Sequence, residues 1–172
     1  EDAKKSMSPD QYEQEFLCSF EASIIGAYYG SQLRQLSDLG KITEVKYDPN
    51  YKVLTFWDLG YSDDTTIIFA QIIYGEIRII DYHSSNGKSI PFYTGLIEQK
   101  GYEYDTHWLP HDAEHEVLGR PMNIKNQVKE AFPNVDVKVV PGAGLPGSIT
   151  SGIELARNVF PRCFFDNTNE TV

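Results

Sequence analysis

The sequence predicts an α/β domain built on a mixed sheet, and three observations carry that prediction. Three runs rich in β-branched and aromatic residues follow one another between Lys52 and Tyr82 with only turn-length gaps, the mark of strands in an antiparallel meander. From Ser89 onward, segments with helical apolar spacing alternate with short apolar runs, which implies parallel strands joined by crossover helices. The composition is globular, with 41% hydrophobic, 13% aromatic and 23% charged residues in 172, so a wholly disordered or collagen-like chain is excluded. A chain of this length buries roughly 70% of its unfolded surface.

Ser8-Pro9-Asp10 reads as the start of a short helix, with Ser as N-cap and Pro at the first helical position. Gln11 to Tyr29 mixes aromatics and acids without a clean period, so residues 1–48 read as an irregular lead-in with one or two helices. Tyr47-Asp48-Pro49-Asn50 is a turn signal and marks a boundary, leaving 49–172 as the folded domain. Lys52 to Trp57 is expected as a strand ending near Asp58, Leu59 to Asp64 as a turn, and Thr65 to Tyr74 as a long apolar strand. Gly75-Glu76 reads as a tight hairpin, Ile77 to Tyr82 as a third strand, and Ser84 to Gly87 as a loop. Ser89 to Lys100 places Ile90, Tyr93, Leu96 and Ile97 at helical spacing, and Gly101 ends that helix. Tyr102 to Leu109 is the fourth strand, stopped by Pro110. A helix over Asn123 to Phe132 and a fifth strand over Val135 to Val140 follow. After a glycine-containing loop, Ser148 to Val159 reads as a helix with Ile149, Ile153 and Ala156 on one face, and Cys163 to Phe165 as a short apolar piece. The order β-β-β-α-β-α-β-α is shared with the ribonuclease H-like architecture.

Charge and cysteine content narrow the function. Fifteen Lys and Arg against 25 Asp and Glu give a net charge of −10. Such a field repels phosphate backbones, which argues against a protein that simply coats nucleic acid. It is compatible with an enzyme whose acidic site is neutralised by divalent metal. Cys18 and Cys163 are too few for a disulfide framework and read as reduced, buried thiols of a cytosolic protein. No apolar run approaches the roughly 20 residues that span a bilayer, and no signal peptide opens the chain. The start at Glu1, without Met, reads as a fragment of a longer chain.

Two acids stand where metal chemistry would need them. Asp58 ends the first strand of the meander, and Asp112 follows the fourth strand in Leu109-Pro110-His111-Asp112-Ala113-Glu114. With this element order, those strands are expected to be parallel neighbours, placing both carboxylates at one end of the sheet. Two such carboxylates repel unless a cation lies between them, and oxygen-only ligation suits magnesium or manganese. The alternative for Asp58 is a turn residue bonding the backbone of Leu59-Gly60. His111, Asp112 and His115 could instead form a zinc set, but no cysteine or HExxH spacing supports it, and a solvated polar loop is the preferred reading. Asn86-Gly87-Lys88-Ser89 ends like a phosphate-binding loop but lacks the earlier glycine, so no P-loop is expected. Asn169-Glu170-Thr171 fits a glycosylation sequon, with nothing else to suggest secretion.

The stretch Trp57-Asp58-Leu59-Gly60-Tyr61-Ser62-Asp63-Asp64-Thr65 resembles the Asp-x-Gly-x-x-Asp-x-Thr segment of the nuclease domain of tailed-bacteriophage terminase large subunits. Leu109-Pro110-His111-Asp112-Ala113, followed by Gly119-Arg120, is similar to the second acidic motif of that family. Gln14 to Phe20 resembles the segment after its ATPase domain, and Gly152-Ile153-Glu154, Arg157 and Pro161 to Asp166 resemble its later pattern. The resemblance spans nearly the whole chain, and four blocks in the right order are more specific together than any one alone.

It implies a ribonuclease H-like, metal-dependent endonuclease that cuts concatemeric viral double-stranded DNA during genome packaging. Asp58 and Asp112 carry over as catalytic, metal-binding acids for two Mg2+ or Mn2+ ions, and Asp63 as a motif residue. The family's third metal acid lies in a helix beyond this chain's last residue. Glu154 or Asp166 is then the candidate third ligand, with Glu170 also within the late segment. Arg120 and Lys125 are the leading DNA-facing cations, ahead of Lys88, Lys129, Arg157 and Arg162. Portal protein, small terminase subunit and the protein's own ATPase domain are the implied partners, host cytoplasm the implied location, and no membrane is involved. Two alternatives stay open: a catalytically silent docking module of the packaging motor, and another ribonuclease H-like nuclease of resolvase or transposase type.

Overall fold

The computed structural model describes residues 27–60, 63–115, 122–141 and 148–168. In chain order the elements are α1 (Gly30–Asp38), β1 (Ile42–Thr43), β2 (Val53–Asp58), β3 (Thr65–Ile73), β4 (Glu76–Ser85), α2 (Ile90–Lys100) and β5 (Tyr104–Leu109). A 3-10 turn (His111–Glu114), α3 (Ile124–Ala131), β6 (Asp136–Val139), α4 (Ser148–Val159), a second 3-10 turn (Phe160–Arg162) and β7 (Cys163–Asp166) complete them.

The strands form one sheet in the order β1-β7-β4-β3-β2-β5-β6. β2, β3 and β4 are the antiparallel meander, and β5 and β6 add to β2 in parallel. The expected core of the fold is therefore present, as a ribonuclease H-like mixed sheet. Two further strands extend it. The apolar piece after α4 becomes β7, parallel to β4, and β1 pairs parallel with β7.

Within the residues read as a lead-in, α1 is a helix and Ile42–Thr43 joins the sheet as β1, while 44–48 remain irregular. The Val45 N–H donates to Asp166 Oδ1 at 2.8 Å, which holds the segment after β1 to the end of β7. Buried Gln71 clamps the following turn, accepting from Asp48 N at 2.9 Å and donating to the Asp48 carbonyl at 2.8 Å. These contacts satisfy backbone groups of an otherwise irregular segment, which is why it folds onto the sheet. The helix expected at Ser8 lies outside the described residues.

The β3–β4 hairpin turns on Tyr74-Gly75, with φ values of 52° and 86°, one residue earlier than expected. Positive φ at both central residues is the two-residue turn that matches strand twist, and glycine accepts it without strain. β4 then runs on to Ser85, opposite Thr65, where a loop was expected. α2 ends as expected at Gly101, in the left-handed region at φ 68°. Asn123 caps α3 by accepting from Asn126 N at 2.9 Å.

α2 and α3 cover one face of the sheet. Trp57, Ile67, Phe69 and Leu109 pack there with Tyr93, Ile97, Val128 and Phe132, all buried. The Lys100 ammonium donates to buried Asp81 of β4 and lies 5.4 Å from the Phe69 ring centre, tying α2 to the sheet. On the other face, Tyr29 and Phe160 stack at 5.1 Å and Phe160 approaches Phe165 at 5.9 Å. α4 packs on the Phe160–Arg162 turn, and Ile149 near its start, expected on a buried face, is 73% exposed. The register aligns Trp108, Phe56, Ile68 and Tyr82 in one row across β5, β2, β3 and β4 on this second face. Phe56, Ile68 and Tyr82 are each about two-fifths exposed, at 41%, 39% and 39%. Cys163 is a buried free thiol, and burial raises its pKa. Cys18 lies outside the described residues. No helix among the described residues is long and apolar enough to cross a membrane.

Candidate metal centre at the ends of β2 and β5

The parallel register pairs Phe56 with Trp108, so continuing it sets Asp58 beside Pro110. Asp58 is the last residue of β2, exposed, and alternation puts it on the face opposite Trp57. Pro110 cannot extend the ladder, and the chain turns at once into the 3-10 segment. The Ala113 N–H bonds the Pro110 carbonyl at 3.1 Å, and the fully buried Ala113 side chain anchors the turn. Asp112 is held in that turn, two residues past Pro110. The two acids therefore belong to neighbouring parallel strands at the same end of the sheet. Neither carboxylate has a hydrogen-bond or ion-pair partner among the described residues, whereas Asp64, Asp81 and Asp166 are all engaged.

The loop after Asp58 depends on Gly60. A Cβ there would stand 2.3 Å from the Asp63 carbonyl oxygen and 2.6 Å from that of Asp64. The chain thus folds back against its own backbone, which only glycine permits. Thr65 Oγ1 donates to the Gly60 carbonyl at 3.3 Å, and Ser84 Oγ to Asp64 Oδ2 at 3.0 Å, closing the loop onto β3 and β4. Asp63 is exposed beside this backbone approach.

Two clefts flank the 3-10 turn. Asp112 and His115 line one of about 770 Å3, together with Gly60, Thr65, Lys88 and Gln127. His111 and Glu114 line another of about 510 Å3, with Trp108, Lys125 and Lys138. His111 and Asp112 thus face different clefts. Among the described residues no three His, Cys, Asp or Glu side chains form a group able to hold a metal ion. The zinc set of His111, Asp112 and His115 does not assemble.

Of the late acids, Glu154 and Asp166 form no such group with Asp58 and Asp112 among the described residues. Asp166 sits three strands from β2, and its pairing level is about four residues below Asp58. That is about 14 Å across and about 13 Å along the sheet. Its carboxylate is used locally, accepting from Val45 N and from Thr168 Oγ1 at 2.7 Å. Glu154 pairs with Arg157 at 2.6 Å one turn along α4, and Arg157 also donates to the Tyr28 carbonyl. Glu170 and Arg120 lie outside the described residues.

Of the expected cations, Lys88 lines the Asp112 cleft and stands 5.6 Å from the Phe92 ring centre. Lys125 is bound to Glu114 at 2.6 Å, in the other cleft. Lys129 is exposed on α3 and Arg162 on the turn before β7.

Sequence reasoning missed a buried polar chain under the site. Trp57 Nε1 donates to Thr55 Oγ1 at 2.9 Å, and Thr55 Oγ1 meets His107 Nδ1 at 2.7 Å. Thr55 and His107 are opposed residues of β2 and β5 and are fully buried. Burial among Tyr104 and Phe132 lowers the His107 pKa to about 4, so the ring is neutral at neutral pH. The legible signal was parity: Thr55 shares its face with Trp57, and His107 shares its face with Leu109.

Solved structures give the same architecture. The nuclease domain of the P22 large terminase superposes with a TM-score of 0.54 at 16% identity, covering 75% of this chain and 69% of that one. The chain has the fold of a large-terminase nuclease domain. The large terminase of a thermophilic bacteriophage matches with a TM-score of 0.52 at 12% identity. That match covers 76% of this chain, which spans about a third (32%) of the thermophilic phage protein. No family model and no curated protein matches the sequence.

Proposed function

We propose that this terminase-like nuclease domain is a divalent-metal-dependent endonuclease that cuts double-stranded viral DNA during genome packaging. One observation supports the reading above others: two carboxylates, Asp58 and Asp112, without partners among the described residues, at the same end of adjacent parallel strands. The donor set fits the cation. Magnesium is commonly held by one or two carboxylates, with water and substrate phosphate completing its shell, so two exposed acids suffice. Manganese takes the same oxygen donors. When bound, paired divalent ions supply charge for a phosphate oxygen and a water of lowered pKa for phosphodiester hydrolysis.

The chain's own residues have narrower tasks. Asp58 and Asp112 bind, and their separation sets where the scissile phosphate can sit. Lys88, on the wall of the Asp112 cleft, offsets backbone charge on the approaching strand. Arg120 and Lys125 extend that role in the proposal. DNA, portal, small subunit and an ATPase domain are the proposed partners. A silent docking module is the second reading, favoured by the exposed row of Phe56, Ile68 and Tyr82.

The test is plasmid cleavage with manganese or magnesium by the parent, Asp58→Asn and Asp112→Asn. Each variant should lose cleavage by about 100-fold or more. Metal-free thermal stability should hold or rise, because carboxylate repulsion is relieved. Cleavage at the parental rate would remove Asp58 or Asp112 from the site. An intact parent that is silent with both metals would favour docking.

A further inference from the structure

The Thr55–His107 bond is a side-chain link between β2, which ends at Asp58, and β5, which ends three residues before Asp112. Its protons can be assigned from the partners. Trp57 Nε1 only donates, so Thr55 Oγ1 accepts from it. If Thr55 also donates its hydroxyl proton to His107 Nδ1, every group of this Trp57–Thr55–His107 relay is satisfied except His107 Nε2, which is buried without a partner among the described residues. If His107 donated instead, the Thr55 hydroxyl proton and Nε2 would both be left over. The first arrangement leaves one orphan and the second leaves two, so the neutral ring carries its proton on Nε2.

The link also has a fixed place. Thr55 and His107 are paired in the β2–β5 register, three residues before Asp58 and five before Asp112. One residue of slip in β5 would break the bond and turn every β5 side chain to the other face. The ladder is irregular just below it, where the register shifts between Val53 and Leu54. Above the irregularity the ladder runs regularly from Leu54 to Phe56, and the Thr55–His107 bond adds a side-chain constraint to that register.

We propose that His107, through its hydrogen bond to Thr55, is a positioning residue that locks β5 against β2 and so sets the separation of Asp58 and Asp112. The inference rests on the nuclease reading for its consequence, but the lock is a property of the two strands. Protonation would make Nδ1 a donor to Thr55 Oγ1 and leave the Thr55 hydroxyl proton without an acceptor, so the link is best satisfied with a neutral ring. The groups facing His107 from the packed elements are the rings of Tyr104 and Phe132, and neither carries charge at neutral pH.

Thr55→Val keeps shape and removes the hydroxyl, and Thr55→Ser restores it. Two measurements are made on the whole chain. The first is amide hydrogen exchange. Thr55→Val should speed exchange at least tenfold over 53–58 and 104–109 and leave the β3–β4 hairpin unchanged, while Thr55→Ser should match the parent. The second pairs calorimetric titration of manganese with cleavage kinetics. Thr55→Val should weaken manganese binding and lower kcat about tenfold with KM for DNA little changed, and Thr55→Ser should recover both. His107→Phe, which fills the space without the bond, should behave like Thr55→Val. Unchanged exchange in Thr55→Val overturns the lock. Altered exchange with unchanged manganese affinity and kcat overturns the positioning role. A parent that neither binds manganese nor cuts DNA defeats the nuclease reading alone, because the exchange comparison still decides whether the lock exists.

Discussion

Gly60 and His107 are the residues on which the geometry around Asp58 and Asp112 depends in the proposed site. At Gly60 the restriction is contact: the Asp63 and Asp64 carbonyls occupy the space of a side chain. Gly60→Ala should cost about 1–3 kcal/mol, since backbone and not a flexible side chain must move. Urea unfolding should show that loss, and cleavage should fall with it, because the displaced loop begins at Asp58. An alanine variant as stable as the parent would mean the loop has another conformation. At His107 the restriction is charge. Its pKa is lowered in the folded chain to about 4 by burial, against an ordinary 6.5. The unfolded chain takes up the proton first as pH falls, so this contribution is complete above about 6.5 and is lost as pH falls toward 4. The loss between pH 7 and pH 5 should be about 2 kcal/mol, and over the full window roughly 3 kcal/mol. His107→Phe should flatten that part of the profile. An identical slope in parent and variant would place the acid sensitivity elsewhere.

Among the elements, α2 is tied to the sheet by more than apolar packing. Lys100 in its last turn reaches Asp81 of β4, and the Tyr102 hydroxyl donates to the same carboxylate oxygen at 3.3 Å. Burial, and then the Asp81 charge, push the Tyr102 pKa up to about 12, so the hydroxyl stays a donor. Lys100→Met preserves the aliphatic stem and removes the cation from a carboxylate that is 5% exposed. Thermal and urea unfolding should show a loss of about 3 kcal/mol, since a buried charge loses its counter-charge. A change under about 0.5 kcal/mol would show that Asp81 is satisfied by its remaining neighbours. Because α2 covers the face carrying Thr55 and His107, loosening it should also speed exchange at β2 and β5.

For the whole molecule, charge decides how the proposed DNA substrate would be met. With a net charge of −10, the domain gains nothing from long-range attraction to a duplex. We expect weak DNA binding by the isolated chain, strengthened by manganese or magnesium, with little sequence preference. A low-salt titration with and without divalent metal is the check. Tight, metal-independent binding would reveal a basic groove and refute the account. In a larger protein, an ATPase motor would hold the DNA and supply the missing affinity.

Elements whose signals are local were legible in the residues alone. Gly101 stopped α2, Pro110 ended β5, and runs of β-branched, aromatic and apolar residues marked β2 and β3. The same reading put Asp58 and Asp112 at one end of the sheet, since three meandering strands followed by β-α alternation leave few ways to pair β2 with β5. Other features waited on the folded chain because their partners are distant in sequence. Ile42–Thr43 is too short to read as a strand and becomes one only against β7, which lies over 100 residues later. Cys163 to Asp166 gained its place from β4 on one side and β1 on the other. The remoteness of Asp166 from Asp58 follows from that strand order, which no spacing of acids encodes. Thr55 and His107 look like ordinary strand residues until the register sets them opposite each other, away from water. There the Thr55 hydroxyl, which already accepts from Trp57 Nε1, and the His107 ring nitrogen bond one another.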